Sequence, residues 1–221
     1  MPNGQKLRVL FALACTLGIL YTVVHSLAVV MLLTALWSIL FYPWRLAEAF
    51  SFAIAAIFFL FQNYVCLKAG IFEFKVKDVL LMPYYEPFLW GFYFTALKRF
   101  VSGERKTPSF QTQSLVGLLV TAAVFSLFSR TPSLFFPATV FSTLVLVGLF
   151  HTRLDLYYAG CSLMLGFIVE LFGVSAGLWS YPAPDFLGIP YWFATMWINV
   201  GLLGYRFLIP LGEWLASKVR G

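Results

Sequence analysis

Apolar residues fill this chain in long runs, and short polar clusters separate the runs. A helix needs about 20 residues to cross the hydrocarbon core of a bilayer, with a range of about 17–25. Runs close to this length lie at residues 8–24, 27–44, 48–67, 79–97, 113–130, 133–150, 155–175 and 189–210. The pattern therefore predicts an all-α, polytopic transmembrane helix bundle, with residues 1–221 forming a single transmembrane domain.

The number of spans depends on the first two runs, because residues 9–44 form one almost unbroken apolar stretch. This stretch is too long for one crossing and short for two, and His25-Ser26 is the only plausible reversal point. Loop charge favours eight spans with both termini cytoplasmic, since 11 of the 15 Lys and Arg residues then lie on the inner side. A seven-span arrangement leaves only nine there and remains the alternative.

Composition supports the membrane assignment. Hydrophobic residues make up 61% of the 221 residues and charged residues 11%, whereas a soluble domain averages about 25% charged residues. One small core cannot bury this much apolar surface, so lipid must solvate much of it. We predict a multi-pass protein of the cell (cytoplasmic) membrane.

The net charge of +6 does not indicate a nucleic-acid partner. The basic residues form short clusters beside apolar runs, such as Lys98-Arg99 and Arg105-Lys106, which is typical of anchoring to an anionic leaflet. The three cysteines lack metal-site spacing. We predict the lipid bilayer as a partner, no nucleic acid, no metal and no cofactor, and the sequence is compatible with an oligomer. The hydropathy pattern predicts no internal repeat.

Two carboxyl groups stand apart from the others. Most acidic residues lie near basic ones at span ends or in loops, as Asp155 lies beside Arg153. Glu86 and Glu170 have no basic neighbour in sequence. An ionised group in hydrocarbon costs at least about 2.5 kcal/mol on insertion scales, so intramembrane acids are functional candidates.

The predicted topology brings both carboxyls to one layer. Glu86 should lie about two turns into span four, and Glu170 near the outer end of span seven. Span three and the turn after span seven add polar and aromatic side chains at the same depth. The candidate substrate-binding residues are Asn63, Tyr85, Trp90, Gly166, Gly173, Trp179, Tyr181, Asp185 and Trp192.

A glycine face surrounds Glu170. Gly166, Glu170, Gly173 and Gly177 are spaced by four, three and four residues, so they share one side of a regular helix. Two interpretations are open. The small residues can mark a close contact between helices, or they can form a flat groove that admits a long, slender ligand.

The chemistry that these residues favour is proton transfer to an alkene or epoxide. The two histidines are isolated, and the chain has neither an aspartate-rich run for a diphosphate nor a nucleophile elbow. A neutral carboxylic acid can protonate a double bond, aromatic faces can stabilise the resulting cation, and a second carboxylate can remove a proton. Glu86 and Glu170 are the predicted catalytic pair.

Two stretches resemble known families. The segment "ELFGVSAGLWSYP…FLGIPYWFATMW" is similar to a pattern of integral membrane carotenoid-biosynthesis proteins, which include the acyclic-carotenoid hydratases. The segment "PYYEPFLWGFYF" resembles the signature of small membrane lycopene cyclases, and the plan is also similar to that of membrane-bound terpene cyclases. The resemblance implies a hydratase-type role for Glu170 and a cyclase-type role for Glu86. The cyclase pattern has adjacent acids, whereas Tyr85 and Pro87 flank Glu86.

Three functions follow as hypotheses. The first is a membrane enzyme that cyclises, hydrates or isomerises a long apolar lipid of polyisoprenoid type. The second is a non-catalytic lipid- or pigment-binding subunit of a larger complex. A proton-coupled transporter is the third, and the predicted lack of a repeat counts against it.

Overall fold

The computed structural model describes residues 3–101, 111–129 and 131–220, and most of them lie in helices. The helices are α1 (Asn3–Thr22), α2 (Ser26–Phe41), α3 (Leu46–Lys68), α4 (Glu86–Val101), α5 (Thr112–Phe128), α6 (Pro132–Leu149), α7 (Arg153–Ser175), α8 (Trp192–Leu203) and α9 (Ile209–Arg220). A π-helical turn, Gly204–Leu208, joins α8 to α9. The predicted all-α, polytopic fold is confirmed. The basic pair Arg105-Lys106 lies outside the described residues.

The helix lengths agree with a protein that spans a membrane. Four helical segments are long and apolar enough to cross a bilayer, namely Gly4–Thr22, Leu46–Lys68, Arg153–Ser175 and Trp192–Val219. Further apolar helices are shorter, at 10–17 residues. The first apolar stretch breaks between Thr22 and Ser26, where the reversal was predicted.

Helix α4 begins later than predicted. Residues 79–85 form turns, so Glu86 is the first residue of α4 rather than a residue two turns inside it. Pro87 follows directly, and proline is tolerated in the first turn because its missing N–H has no intrahelical partner there. The prolines on either side of Glu86 therefore position the start of the helix.

The chain contains an internal repeat, so the prediction of none is wrong. Residues 78–90 read DVLLMPYYEPFLW and residues 185–197 read DFLGIPYWFATMW, which share the spacing D-x-L-x-x-P-Y-x₅-W. A constant offset of 107 residues relates the two segments. The same offset relates α3 to α7 and relates α4 to α8 together with the π-helical turn. It also places β1 (Glu73–Phe74) within one residue of β2 (Trp179–Ser180).

Backbone geometry repeats at the same offset. Gly70 and Gly177, which follow α3 and α7, have φ values of 70° and 66°, a left-handed conformation that glycine adopts without steric cost. Asp78 and Asp185 each accept a hydrogen bond from the backbone N–H six residues further along. Two segments with little sequence identity therefore fold alike.

A pseudo-twofold axis passes between the two short strands. They pair antiparallel, and Glu73 faces Ser180, its own counterpart in the repeat. The first half contains α1–α4 and the second contains α5–α8, with α9 following it. Because each half has an even number of helices, the two halves run in the same direction. The axis therefore lies along the bundle, as in transporters with parallel repeats. The indole rings of Trp90 and Trp197, also counterparts, stack with centroids 5.1 Å apart.

Two ion pairs close the opposite end of the bundle from the strands. Arg99 of α4 binds Glu48 of α3, and Arg206 binds Asp155 of α7, each with a shortest N–O distance of 2.6 Å. In the sequence Arg153 is the basic residue nearest to Asp155, but in the fold Asp155 forms its salt bridge with Arg206. Both carboxylates are buried, so a charge on the facing helix compensates each of them.

Tight packing at the axis depends on glycine. A Cβ atom at Gly166 of α7 would overlap the indole of Trp197. Its counterpart in the first half is Phe59, whose ring instead stacks on Trp90 at 3.8 Å. The second half therefore replaces an aromatic ring by a glycine, and Trp197 fills the space.

Replacing Arg206 by alanine should lower the free energy of unfolding by about 3–5 kcal/mol, because it leaves the buried carboxylate of Asp155 without its partner. Unfolding of the detergent-solubilised protein measures the change. The control is Lys77→Ala, which removes an exposed pair with Glu73 and should cost at most about 1 kcal/mol. Equal losses in the two variants would contradict the structural role of the buried pair.

Replacing Gly166 by alanine should cost about 1–3 kcal/mol, because the added methyl group overlaps the Trp197 ring. Gly160→Ala in the same helix is the matched control, since nothing lies within 4 Å of its Cβ position. We expect thermal unfolding of Gly160→Ala at or above the wild-type temperature. A Gly166→Ala protein as stable as Gly160→Ala would show that the indole moves aside freely.

Candidate functional site

One cavity lies between α3, α4, α5, α7 and α8, and both candidate carboxyls line it. It encloses about 1130 Å³ of space free of protein atoms, including its open mouth. Phe58 and Gln62 of α3 form one side of the wall and also border a shallow groove on the outer surface of α3. The opposite side comes from α5, including Thr121 and Phe125. We infer that the mouth opens towards lipid between α3 and α5.

Glu86 is held by two donors at the start of α4. Asn63 Nδ2 of α3 and Trp90 Nε1, one turn along α4, both donate to Glu86 Oε1 at 2.9 Å. The residue is buried, and no described basic side chain forms a salt bridge with it. The hydrogen bonds of this carboxyl therefore converge on one oxygen atom.

Glu170 has the same arrangement in the second half. Trp179 Nε1 and the Tyr181 hydroxyl both donate to Glu170 Oε2 at 2.8 Å. Both donors follow α7, and pairing of β2 with β1 holds this segment. Burial raises the pKa of Tyr181, and the nearby Glu170 carboxyl acts in the same direction. Tyr181 therefore keeps its proton and remains a donor.

Aromatic rings form most of the wall beside the carboxyls. Phe59, Trp90 and Trp197 stack in series, with centroid distances of 3.8 and 5.1 Å. Trp192, at the start of α8, contacts Tyr181 edge to face. The two carboxyls therefore face a wall of π surfaces, with few other polar groups.

The structure brings together most of the residues that the sequence singled out. Besides the two glutamates, the cavity is lined by Asn63, Trp90, Trp179, Tyr181 and Trp192. Four predicted residues lie outside the lining, namely Tyr85, Gly166, Gly173 and Asp185. Tyr85 is buried in the core, and Asp185 accepts the backbone N–H of Tyr191 in a turn.

The glycine face of α7 is not an open groove. A Cβ atom at Gly166 would overlap the Trp197 ring, and one at Gly173 would overlap the Trp179 ring. The indoles therefore occupy the groove that the spacing predicted for a ligand. Of the two interpretations, the close contact through small residues describes this face, with indole rings in place of a helix backbone.

Several residues of the cavity were not predicted from the sequence. They include Tyr93 and Phe94 on α4 and Met196 and Asn199 on α8. Helical spacing could have identified two of them. Tyr93 follows Glu86 by seven residues, and Asn199 follows Trp192 by seven, so each shares a helix face with a predicted residue.

The cavity breaks the symmetry of the repeat. Among the described residues, α4 packs against α7 whereas α8 scarcely touches α3, so the two sides of the axis are packed differently. The polar residues differ as well. The counterpart of Glu170 is Asn63, and the counterpart of Glu86 is Phe193, which is buried.

Comparison with known proteins supports the fold. The sequence matches no protein-family model and no curated protein. Two crystal structures at 1.9 Å resolution are similar, both of MvINS, a mycobacterial Insig homologue from Mycobacterium vanbaalenii; one is a cross-linked trimer of a cysteine variant. Each has a TM-score of 0.67 and 15% sequence identity, and covers 80% of this chain and 98% of MvINS. The chain is a multi-pass membrane protein with an Insig-like fold.

Proposed function

We propose that this chain is a membrane enzyme that acts on a long apolar lipid of polyisoprenoid or carotenoid type. Glu86 and Glu170 would be the acid–base pair for a proton-initiated cyclisation, hydration or isomerisation. The observation that carries the proposal is that both carboxyls line one aromatic cavity and each is held through a single oxygen. The charge of the loops favours the cell membrane as its location.

The hydrogen bonds assign a position to a proton. When such a carboxyl group is a neutral acid, the oxygen that accepts from two donors is its carbonyl oxygen, and the proton is on the other oxygen. Donors converge in this way on Glu86 Oε1 and on Glu170 Oε2. A neutral acid is also far less costly than a carboxylate in an apolar cavity without a basic partner.

The reaction conserves protons. One carboxylic acid gives its proton to an alkene carbon, the C=C π pair forms the new C–H bond, and a carbocation remains. In a cyclisation or an isomerisation, the carboxylate that this step leaves accepts a proton from a carbon beside the cation, either directly or through the second carboxyl group, which passes on its own proton. A new double bond forms and both acids are regenerated. In a hydration, water adds to the cation and the carboxylate accepts the proton of that water.

The aromatic wall suits a cationic intermediate. The faces of tryptophan and phenylalanine carry negative charge density, so they attract a cation, and this attraction grows when water is excluded. Trp90 and Trp197 stack beside the carboxyls, and Phe59 extends the series. A cation formed there would have no nucleophile among these side chains.

A second candidate is a non-catalytic lipid- or pigment-binding subunit. The structural likeness to MvINS, which has been crystallised as a cross-linked trimer, favours a role in an assembly. The internal repeat removes the sequence argument against a transporter. The apolar lining of the cavity still favours a lipid over a water-soluble solute.

Replacing Glu86 or Glu170 by glutamine should lower turnover at least about 100-fold, because an amide keeps the accepting oxygen but cannot supply the proton. Purified protein in lipid nanodiscs is incubated in D₂O with lycopene and, in parallel, with farnesol, and the products are analysed by mass spectrometry. The wild type should yield product that carries deuterium on carbon. Glu73→Gln, an exposed carboxyl outside the cavity, is the matched control.

Two results would contradict the enzymatic proposal. One is product formation at wild-type rate by both glutamine variants. The other is the same unmodified lipid in organic extracts of the wild type and of both variants, together with retention of a partner protein. That second result would support the binding subunit.

A further inference from the structure

Polar atoms without partners are concentrated in the cavity. Within residues 3–101, 111–129 and 131–220, five buried side-chain polar atoms lack a hydrogen bond. Three of them belong to residues that line the cavity, namely the Tyr93 hydroxyl, Trp197 Nε1 and Asn199 Oδ1. Buried polar groups are nearly always hydrogen-bonded, so such a cluster calls for an explanation.

The repeat explains why the Trp197 indole N–H has no acceptor on its own helix. Its counterpart, Trp90, donates its indole N–H to Glu86, four residues earlier on the same helix. The residue four positions before Trp197 is Phe193, which offers no acceptor oxygen. Glu170 lies near the Trp197 N–H, but the two do not form a hydrogen bond of normal geometry. The second half therefore keeps the indole N–H donor at Trp197 and lacks an acceptor at the position of Phe193.

Tyr93 provides a second donor beside the first. Its ring lies 6.3 Å from the Trp197 ring in an edge-to-face arrangement. The residue is 3% exposed and Trp197 is 1% exposed, so bulk solvent reaches neither. Asn199 lies two residues from Trp197 on α8, and its side chain bonds Ser142 of α6, on another side of the cavity. Tyr93 and Trp197 thus form a pair of neighbouring free donors.

We propose that the Tyr93 hydroxyl and the Trp197 indole N–H form a subsite for an uncharged oxygen acceptor on the lipid, either a hydroxyl or a carbonyl oxygen. The indole N–H can only donate, so the ligand atom must accept. A carboxylate or phosphate is disfavoured because the cavity lining, among the described residues, contains no basic side chain to balance its charge. A pure hydrocarbon would leave both donors unpaired. This inference rests on the proposed function and names the substrate class, an oxygen-bearing isoprenoid lipid.

The test compares three probes with one carbon skeleton, farnesene, farnesol and farnesal. Binding to full-length protein in nanodiscs is measured by equilibrium dialysis with mass spectrometry. Tyr93→Phe should weaken farnesol and farnesal binding about fivefold, which corresponds to one hydrogen bond, and leave farnesene binding unchanged. Trp197→Phe also removes part of the cavity wall, so it should weaken binding of the two oxygenated probes about fivefold more than binding of farnesene. Partition into lipid cancels when each variant is compared with wild type for the same probe.

Trp192→Phe is the matched control, because it removes an indole from the cavity wall outside the subsite. It should change the binding of all three probes by one common factor. Tyr93→Phe removes a hydroxyl that has no partner, so its unfolding temperature should equal or exceed that of the wild type. This stability readout separates loss of the subsite from loss of the fold.

The outcomes distinguish failure of the oxygen-acceptor subsite from failure of the proposed acid–base function. A fivefold loss for both oxygenated probes supports an acceptor subsite, and a loss for farnesol alone supports a hydroxyl-specific one. Farnesene binding that falls as much as farnesol binding overturns the subsite and leaves the acid–base function intact. Failure of the wild type to bind any probe overturns the subsite and the lipid cavity together.

Discussion

The structure depends on one constraint, that a carboxyl group inside an apolar bundle must be hydrogen-bonded. Glu86 and Glu170 satisfy it with donors from outside their own helical turn, namely Asn63 on α3 and the residues after α7. These hydrogen bonds tie α3 to α4 and fix the strand segment over α7. The layer of the carboxyls is therefore also the layer where the helices and the connecting strands are joined.

The internal repeat provides the helical scaffold that holds this layer of carboxyls. The ion pairs at the opposite end, Glu48 with Arg99 and Asp155 with Arg206, recur at the same offset and hold each half in the same way. The central residues have diverged instead. One half has a glutamate where the other has Phe193, and the cavity lies on the side where α8 scarcely touches α3. The residues that hold the scaffold occupy equivalent positions in the two halves, whereas several residues that line the site differ between them.

Some parts of the site were predictable from the sequence. Glu86 and Glu170 were identified because an isolated acid in an apolar run is costly, and Asn63, Trp179 and Tyr181 because topology places them at the same depth. The glycine face left two interpretations open, a close contact and a groove, and its spacing could not choose between them. Spacing shows that Gly166 and Gly173 share a side of α7, but it cannot show that indoles from distant segments fill that side.

The sequence by itself determined most of the helices and singled out the two acids in apolar surroundings, because length, hydropathy and charge act locally along the chain. Tertiary structure alone decided which helices are neighbours, which side of the axis is open and which donors remain unpaired. In a bilayer, lipid solvates apolar faces as well as another helix does, so periodicity does not specify helix partners. Packing of small and aromatic residues across the repeat made that choice.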